Sequence, residues 1–478
     1  MRRKILFVSV VIFALLAGML YAEGQTEGPA VKLSGKISAV GTTIQRDPDG
    51  FNEWVAEFTK ITGVELDFQT PPHGEYSALL KKQIATGNAP DIMEVLTGDY
   101  ITLANQGVLY PLDDLIAKSA KAKSVNPKFL SYYKMKDGKS YGFPLNAGGG
   151  CVVFIRKDWM DKLGFKAPKT FDEFYNIMKA FANNDPDGNG QKDTYGYTMP
   201  LQVPVSEFDY YNRFFMLDAR FDFVAKGGKW VDGFTEPEMV KALERFQKAY
   251  KEGVIDTEFS TNKTAAMRTK VFEGRVGAYE YWSGIWALRT DAGVKAANPK
   301  GEIIPLNAIK DSYYISRPAP AFAISAKSKN PELAFKAWME TSVDKGAGQT
   351  LFVYGVDGVH YKSEAGKMSF LPRVSNVKSM FDKAYIEPAL IVNDYELKIP
   401  LDALAKLSRD IHVKDSIAIP FVPGGDMYAK MSADIHAAKQ QAFAKVVMGE
   451  MSVADGINSY KAKAAELKIA EVLKELNQ

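Results

Sequence analysis

Between residues 37 and 96 the apolar pattern alternates between strand and helix period, and this alternation constrains the fold more than any other feature of the chain. Ile37 to Val40 reads as a short strand ending in Gly41-Thr42-Thr43. Phe51, Trp54, Val55, Phe58 and Ile61 then recur at helical spacing, with Gly63 as the stop. Val64, Leu66 and Phe68 alternate as a second strand. Tyr76, Leu79, Leu80 and Ile84 mark one side of a helix that stops at Gly87, and Asp91 to Leu96 reads as a third strand before a turn at Gly98-Asp99. Strands separated by helices of this length predict an α/β unit with a largely parallel sheet. Ligands of such sheets bind beyond the carboxyl ends of the strands, which points to Thr42, Thr43, Thr97, Gly98, Asp99 and Tyr100 as rim positions of a cleft. For each of them, an ordinary loop residue is the alternative.

A second unit begins near Tyr141. Cys151 to Arg156 is a strongly apolar strand, and Asp158 to Leu163 starts a helix that ends at Gly164. Thr170-Phe-Asp-Glu173 has capping-box spacing, in which the hydroxyl and the carboxylate each satisfy a free backbone N–H. Phe171, Phe174, Met178 and Phe181 form that helix's buried stripe. Towards the C-terminus, Met427 to Val447 and Val453 to Leu476 read as helices, the second started by Ser452 and Asp455. Cys151 is the only cysteine, so no internal disulfide can form, and stability must come from buried apolar area. At the start of an apolar strand it reads as a buried small hydrophobe. A chain of 478 residues is long enough for two or three domains.

The N-terminus carries Arg2, Arg3 and Lys4, an apolar run from Ile5 to Tyr21, and the small residue Ala22. That order is a secretory signal over residues 1–22 cleaved near Ala22, with 23–30 as a flexible leader. An uncleaved anchor is the competing reading, since a bilayer span needs about 20 apolar residues. No cysteine lies near the end of the run to carry a lipid. The chain holds 60 basic and 57 acidic residues; removal of the signal takes three basic ones and leaves 57 against 57. That balance shows no nucleic-acid footprint, which needs a concentrated basic face, but leaves room for an acidic ligand held by local arginines.

The ordered segments "FTKITGVELDF", "LLKKQIATGNAPDIMEV", "LANQGVLYPLDDLI", "YGFPLNAGGGCVVFIRKDWMDKLGF", "KTFDEFYNIMKAF", "VFEGRVGAYEYWSGIW" and "AFAISAKSKNPELAFKAWME" span most of the chain. Together they resemble the extracellular solute-binding proteins that serve carbohydrate ABC importers. "DPDGNGQKDTYGY" and "YGVDGVHYK" resemble the branch that takes up larger oligosaccharides and uronate polymers. The resemblance implies a two-lobed α/β fold of the type II periplasmic-binding-protein kind, with a ligand cleft between lobes that close on a hinge. It implies a first lobe of residues 31–145 plus 312–362 and a second of 146–311 plus 363–478. It further implies a periplasmic monomer whose partners are a carbohydrate and the permease subunits of an ABC transporter.

Sugars present flat C–H faces and hydroxyl edges, so a site needs aromatic platforms and polar side chains. Tyr279, Tyr281, Trp282 and Trp286 crowd one short stretch, and the resemblance places a ligand-facing aromatic there, with Trp282 as the match. The alternative is that these rings are core. Asn146, Asp99, Thr43 and Arg317 are hydrogen-bonding candidates from their loop positions. Asp185, Asp187, Asn189, Gln191 and Asp193 fall at positions one, three, five, seven and nine of a loop with Gly190 at six. This spacing converges oxygens on a structural Ca²⁺, Gln191 through its carbonyl. Position twelve is Gly196, not the bidentate glutamate of an EF-hand, and a metal-free Asp/Asn/Gly turn is the alternative. No H-E-x-x-H, G-x-S-x-G or G-x-x-x-x-G-K-[ST] motif is present, and Gly148-Gly149-Gly150 lacks the dinucleotide spacing. A binding protein without catalysis fits. The rivals are a secreted polysaccharide-cleaving enzyme, whose two carboxylates leave no sequence motif, and a non-transporting sugar sensor or adhesin on the same fold.

Overall fold

A computed structural model describes residues 35–41, 50–203, 205–371, 388–420 and 422–478. The signal, the leader and Thr43 lie outside the described residues. In chain order the strands are β1 (Gly35–Val40), β2 (Val64–Gln69), β3 (Ile92–Val95), β4 (Phe143–Pro144), β5 (Cys151–Arg156), β6 (Tyr195–Tyr197), β7 (Phe223–Lys226), β8 (Lys229–Asp232), β9 (Val276–Trp282), β10 (Ile303–Pro305), β11 (Tyr314–Ser316), β12 (Ala321–Ile324), β13 (Tyr361–Glu364), β14 (Lys367–Phe370) and β15 (Ser416–Ala418).

The strand and helix periods read between residues 37 and 96 form as expected. The helix Phe51–Thr62 ends where Gly63 turns left-handed (φ 71°) and gives its N–H to the Thr59 carbonyl at 2.8 Å. β1 runs parallel to β2 and β3. The sheet is nonetheless mixed: its order is β2-β1-β3-β12-β4, and β12 lies antiparallel to both β3 and β4. One face packs Ile37, Ile92 and Phe322 against Trp54, Phe58, Trp338 and Phe352; the other packs Val40, Met93 and Ala321 against Tyr76, Leu80, Tyr100 and Tyr133. The turn expected at Gly98-Asp99 is instead the start of a helix, Thr97–Asn105, because an acidic residue suits the first turn of a helix. Tyr100, expected on a rim, is 2% exposed and donates its hydroxyl to the Tyr133 carbonyl.

The second sheet has the order β10-β5-β9-β6, with β5 antiparallel to β9 from Cys151↔Trp282 to Ile155↔Ala278. All six residues of β5 are buried, and burial pushes the Cys151 thiol well up from its usual range. The Thr170 hydroxyl caps its helix as expected, accepting the Glu173 N–H at 3.2 Å; the Glu173 carboxylate reaches one residue further back, to the Lys169 N–H at 2.6 Å. Phe443 of the helix Asp426–Val447 packs on Phe208, Phe246 and Phe259. The expected helix from Val453 to Leu476 is two helices, Val453–Glu466 and Ile469–Leu476, broken where Lys468 turns left-handed (φ 54°).

Among the described residues the chain passes between the two sheets' cores three times, which makes the fold two-lobed α/β. The first two passages are zipped together: the Gly149 N–H donates to the Arg317 carbonyl at 3.1 Å and the Arg317 N–H to the Gly149 carbonyl at 2.8 Å. Gly148 has φ 70°, and a Cβ there would stand 2.2 Å from the Arg317 carbonyl oxygen, so only glycine lets the passages approach. The third lies between Ile399, packed on the first core, and Leu404, packed on the second, and the segment before it is tied to the first passage by the Ala147 N–H bonded to the Leu390 carbonyl at 2.6 Å. The passages fall at different residues from those drawn on the sequence. Tyr314 and Ile315 pack in the second core, where β11 pairs with β15, and Val392 and Tyr395 pack in the first. Core packing of single side chains, not segment order, decides these boundaries.

Candidate functional site

Strand alternation sends Glu280 and Trp282 to one face of β9 and Tyr279 and Tyr281 to the other. Trp282 is the last residue of the strand, half-buried, opposite Cys151 beside the first passage. Its ring packs on Tyr210 (6.1 Å between centroids) and edge-on to Tyr211 (6.3 Å). Arg317 reaches it from the second passage, its guanidinium 4.4 Å from the Trp282 centroid and 5.8 Å from that of Tyr210. Glu207 accepts a hydrogen bond from the same guanidinium at 3.1 Å. Burial disfavours the Arg317 charge, but Glu207, Tyr210 and Tyr211 together hold its pKa above the usual arginine value. A residue of the interlobe passage therefore stacks on an aromatic side chain of the second lobe.

Trp286, half-buried in the first turn of the helix Ile285–Ala297, lies edge-on to Tyr281 at 4.7 Å. The guanidinium groups of Arg268 and Arg289 stand 4.7 and 4.5 Å from its centroid. Tyr281 differs from expectation: it is 4% exposed, stacked on Tyr211 and Tyr279, and its hydroxyl accepts from Arg268. Its ring is core, because the strand's alternation turns it inward. Burial pushes its phenol up to about 12. Asn146 sits at the first passage, where its Oδ1 accepts the Gly148 N–H at 3.0 Å and shapes the turn. Asp99 belongs to the first lobe and is engaged there, by the Ser77 hydroxyl and by Lys81 at 2.7 Å. The structure thus pairs Trp282 with Arg317 and Trp286 with Tyr281, with Tyr211 packed against both Trp282 and Tyr281, and leaves Asp99 in a local ion pair.

In the 185–193 loop, Asp185 accepts the N–H groups of Gly188, Asn189 and Gly190 at 2.9 to 3.1 Å. The Asn189 amide nitrogen lies between two acids, 3.0 Å from Asp187 Oδ2 and 3.1 Å from Asp193 Oδ2. The Gln191 N–H donates to Asn189 Oδ1 at 2.7 Å. Burial resists ionisation of Asp185, but these N–H donors hold its carboxyl below the usual range; burial and the bond to Asp185 push Asp187 up. Among the described residues no group of three or more His, Cys, Asp or Glu is arranged to hold a metal. The donor chemistry still fits a hard cation: turning the Asn189 amide over would direct three oxygen-bearing side chains at one point.

A separate open groove of about 700 Å³ on the second lobe is lined by Leu201, Gln202, Asp434, Gln441 and Lys463 and includes none of these residues.

The family model for bacterial extracellular solute-binding proteins matches residues 42–342. The chain belongs to this family. As a solute-binding protein it is 26% identical over 394 residues to the polygalacturonan/rhamnogalacturonan-binding protein YtcQ of Bacillus subtilis (strain 168), covering 77% of this chain and 76% of that one. Among solved structures, the alginate-binding protein AlgQ2 without calcium ion superposes with a TM-score of 0.69 at 21% identity, over 93% of this chain and 97% of that one. An EF-hand mutant of the S. pneumoniae ABC-transporter substrate-binding protein FusA, in complex with fructo-nystose, gives 0.69 at 18% identity over 92% and 98%. At these identities the structures establish the shared fold. Sequence reading of this solute-binding protein missed Glu207, Tyr210, Tyr211 and Arg268. For the first three the one available signal was the aromatic density of "EFDYYNRFF", which periodicity assigns to no element.

Proposed function

We propose that the chain is the capture component of an ABC importer, binding an oligosaccharide between its lobes by hinge closure and releasing it unaltered to the permease. The observation that carries this reading is Trp282: a half-buried indole at the end of β9, beside the interlobe passages and stacked on Arg317, the kind of platform a sugar face needs. Trp286, Asn146 and, from the first lobe, Asp99 and Thr43 are the further contacts of this reading, with Tyr281 acting behind Trp286. A ligand touching both lobes binds the closed form better and shifts the population toward it. The protein would work as a periplasmic monomer after cleavage near Ala22. The relatives include a polygalacturonan/rhamnogalacturonan-binding protein, an alginate-binding protein and FusA in complex with fructo-nystose, and the stacked Arg268 and Arg317 suit a carboxylate-bearing sugar, so oligogalacturonides are the first ligands to screen.

Calcium is the second part of the proposal. Asp185, Asp187, Asn189, Asp193 and the Gln191 carbonyl would hold it, and the ion would supply a fixed positive charge that stiffens the loop. The FusA EF-hand variant and the calcium-free AlgQ2 structure support calcium chemistry in proteins of this fold.

One plate tests both parts. Thermal shifts are read against neutral and uronic oligosaccharides, with and without chelator, and the mixtures are then analysed for products. A rise in Tm with intact sugar is expected for at least one ligand, and a lower Tm in chelator. Time-dependent cleavage would replace the transport reading with the enzyme reading. An unchanged melt in chelator together with no metal in elemental analysis overturns the calcium assignment. Ligand-stimulated ATP hydrolysis by the reconstituted importer separates delivery from a sensor or adhesin.

A further inference from the structure

Glu280 is a carboxylate with no exposure, in the middle of β9 and two residues before Trp282. Its two oxygens do separate work: Oε2 accepts the Arg213 N–H at 2.8 Å and Oε1 the Phe214 N–H at 2.9 Å. These two N–H groups open the short helix Arg213–Met216, and Tyr210 and Tyr211, the rings that flank Trp282, lie just before it. The Tyr197 hydroxyl fastens the same segment from β6, donating to the Tyr211 carbonyl at 2.9 Å. No hydrogen bond or ion pair runs from Glu280 to a cation's side chain among the described residues, because the Arg213 guanidinium turns away to the carbonyls of Tyr313, Ala219 and Leu217.

We propose that Glu280 is a positioning residue: its carboxylate holds the Tyr210–Tyr211 segment against Trp282, and ligand capture is proton-linked through it. The inference rests on the reading of Trp282 as the sugar platform. The physical basis is the count of acceptors. An ionised carboxylate offers a full acceptor to each of the two N–H groups; a proton on one oxygen weakens that oxygen as an acceptor, leaves its N–H poorly partnered in a dry site, and adds an O–H donor that must compete for the Tyr197 hydroxyl beside it. The segment then loosens beside the platform.

Burial pushes the Glu280 carboxyl up to about 7, against the pull of the two N–H bonds and of the Arg213 charge, so the change falls near neutrality. The other titratable groups facing it do not titrate there. Burial drives the phenols of Tyr197 on β6 and Tyr314 on β11, and the Cys151 thiol on β5, well above their usual values. Arg213 is lowered by burial and stays a cation.

If capture requires the ionised form, the apparent dissociation constant rises about ten-fold from pH ~8 to pH ~6, and binding near neutrality releases a proton. The test has one arm without ligand. Tryptophan fluorescence of the wild type minus that of Trp282→Phe isolates the Trp282 signal, which is titrated in the wild type and in Glu280→Gln. A single transition near pH ~7 in the wild type, flat in Glu280→Gln, is expected; no transition, or the same one in the variant, overturns the proposal. The second arm measures trigalacturonate and maltotriose binding by calorimetry across the same range, in buffers of different ionisation heat. Proton release that disappears in Glu280→Gln is expected, and pH-independent affinity in the wild type overturns the proposal. Should Glu280→Gln not fold, as read by far-ultraviolet circular dichroism, the wild-type titration against Trp282→Phe still decides. Failure of every sugar to bind would strike the platform reading and leave the fluorescence arm intact.

Discussion

Acidification should loosen the protein at the interlobe passages through His412, and the size of the effect follows from its surroundings. The ring is 1% exposed, on the helix Ala403–Asp415. Its Nδ1 lies 3.3 Å from the Arg409 guanidinium and its Nε2 3.3 Å from the Ile315 carbonyl. A guanidinium only donates, so Nδ1 accepts and Nε2 carries the proton. A second proton would point Nδ1–H at a cation. Burial first, and Arg409 second, lower the pKa from 6.5 to about 4. The ring also abuts the first passage: a Cβ on Gly150 would stand 2.3 Å from His412 Nε2. With a depressed folded pKa, the contribution is complete above pH 6.5 and is lost as pH falls towards about 4. Between about pH 7 and about pH 4.5 the loss is about 2.5 kcal/mol. Glu280, raised to about 7, and Asp222, raised to about 6 by burial, act in the opposite direction, stabilising as pH falls through those values. The informative quantity is therefore the Tm gap between the wild type and His412→Gln. The second lobe holds roughly 240 residues, an unfolding entropy of about 0.5 kcal/mol/K, so the gap should change by about 5 °C in the variant's favour on acidification. A gap that stays constant from about pH 7 to about pH 4.5 would refute the assignment.

Trp282→Ala should lower sugar affinity by about 10- to 100-fold with little change in Tm, since its ring is half-buried; calorimetry and a melting curve check both, and an unchanged affinity removes the platform. Trp54→Ala should do the reverse, costing about 3–5 kcal/mol in a fully buried site packed on Phe58, Trp338 and Phe352, at unchanged affinity. Lys439→Met should cost about 3–5 kcal/mol, because the fully buried ammonium is the ion-pair partner of Asp232 at 2.7 Å and also donates to the Phe221 carbonyl at 3.0 Å. Adding Asp232→Asn should recover part of that loss in the same denaturation assay.

What was written locally in the chain was legible. The strand and helix periods of residues 37–96, the left-handed stop at Gly63, the caps at Thr170 and Ser452 and the burial of Cys151 depend on near neighbours and on intrinsic backbone preference. The order of motifs carried the family, hence the two lobes. Trp282 and Arg317 were reached by residue type and position, one at a strand end and one in a loop. Their contact was not, because it joins a strand end of the second lobe to a residue of the second passage 35 positions away.

Tertiary structure alone decided the rest. β12 enters the first sheet antiparallel, between β3 and β4, after the chain has built most of another lobe, and no local period encodes a partner so distant. Tyr281 and Trp282 are adjacent and chemically alike, yet alternation on β9 and the packing of Tyr211 put one in the core and leave the other half-open. Asp99 finds Lys81 and Ser77, and Glu280 finds two backbone N–H groups 66 and 67 residues away. The sequence by itself determined which elements form and which chemistry is at hand. Which side chains meet was decided only when long loops closed, because a buried polar group must find its partner wherever the packed chain brings one.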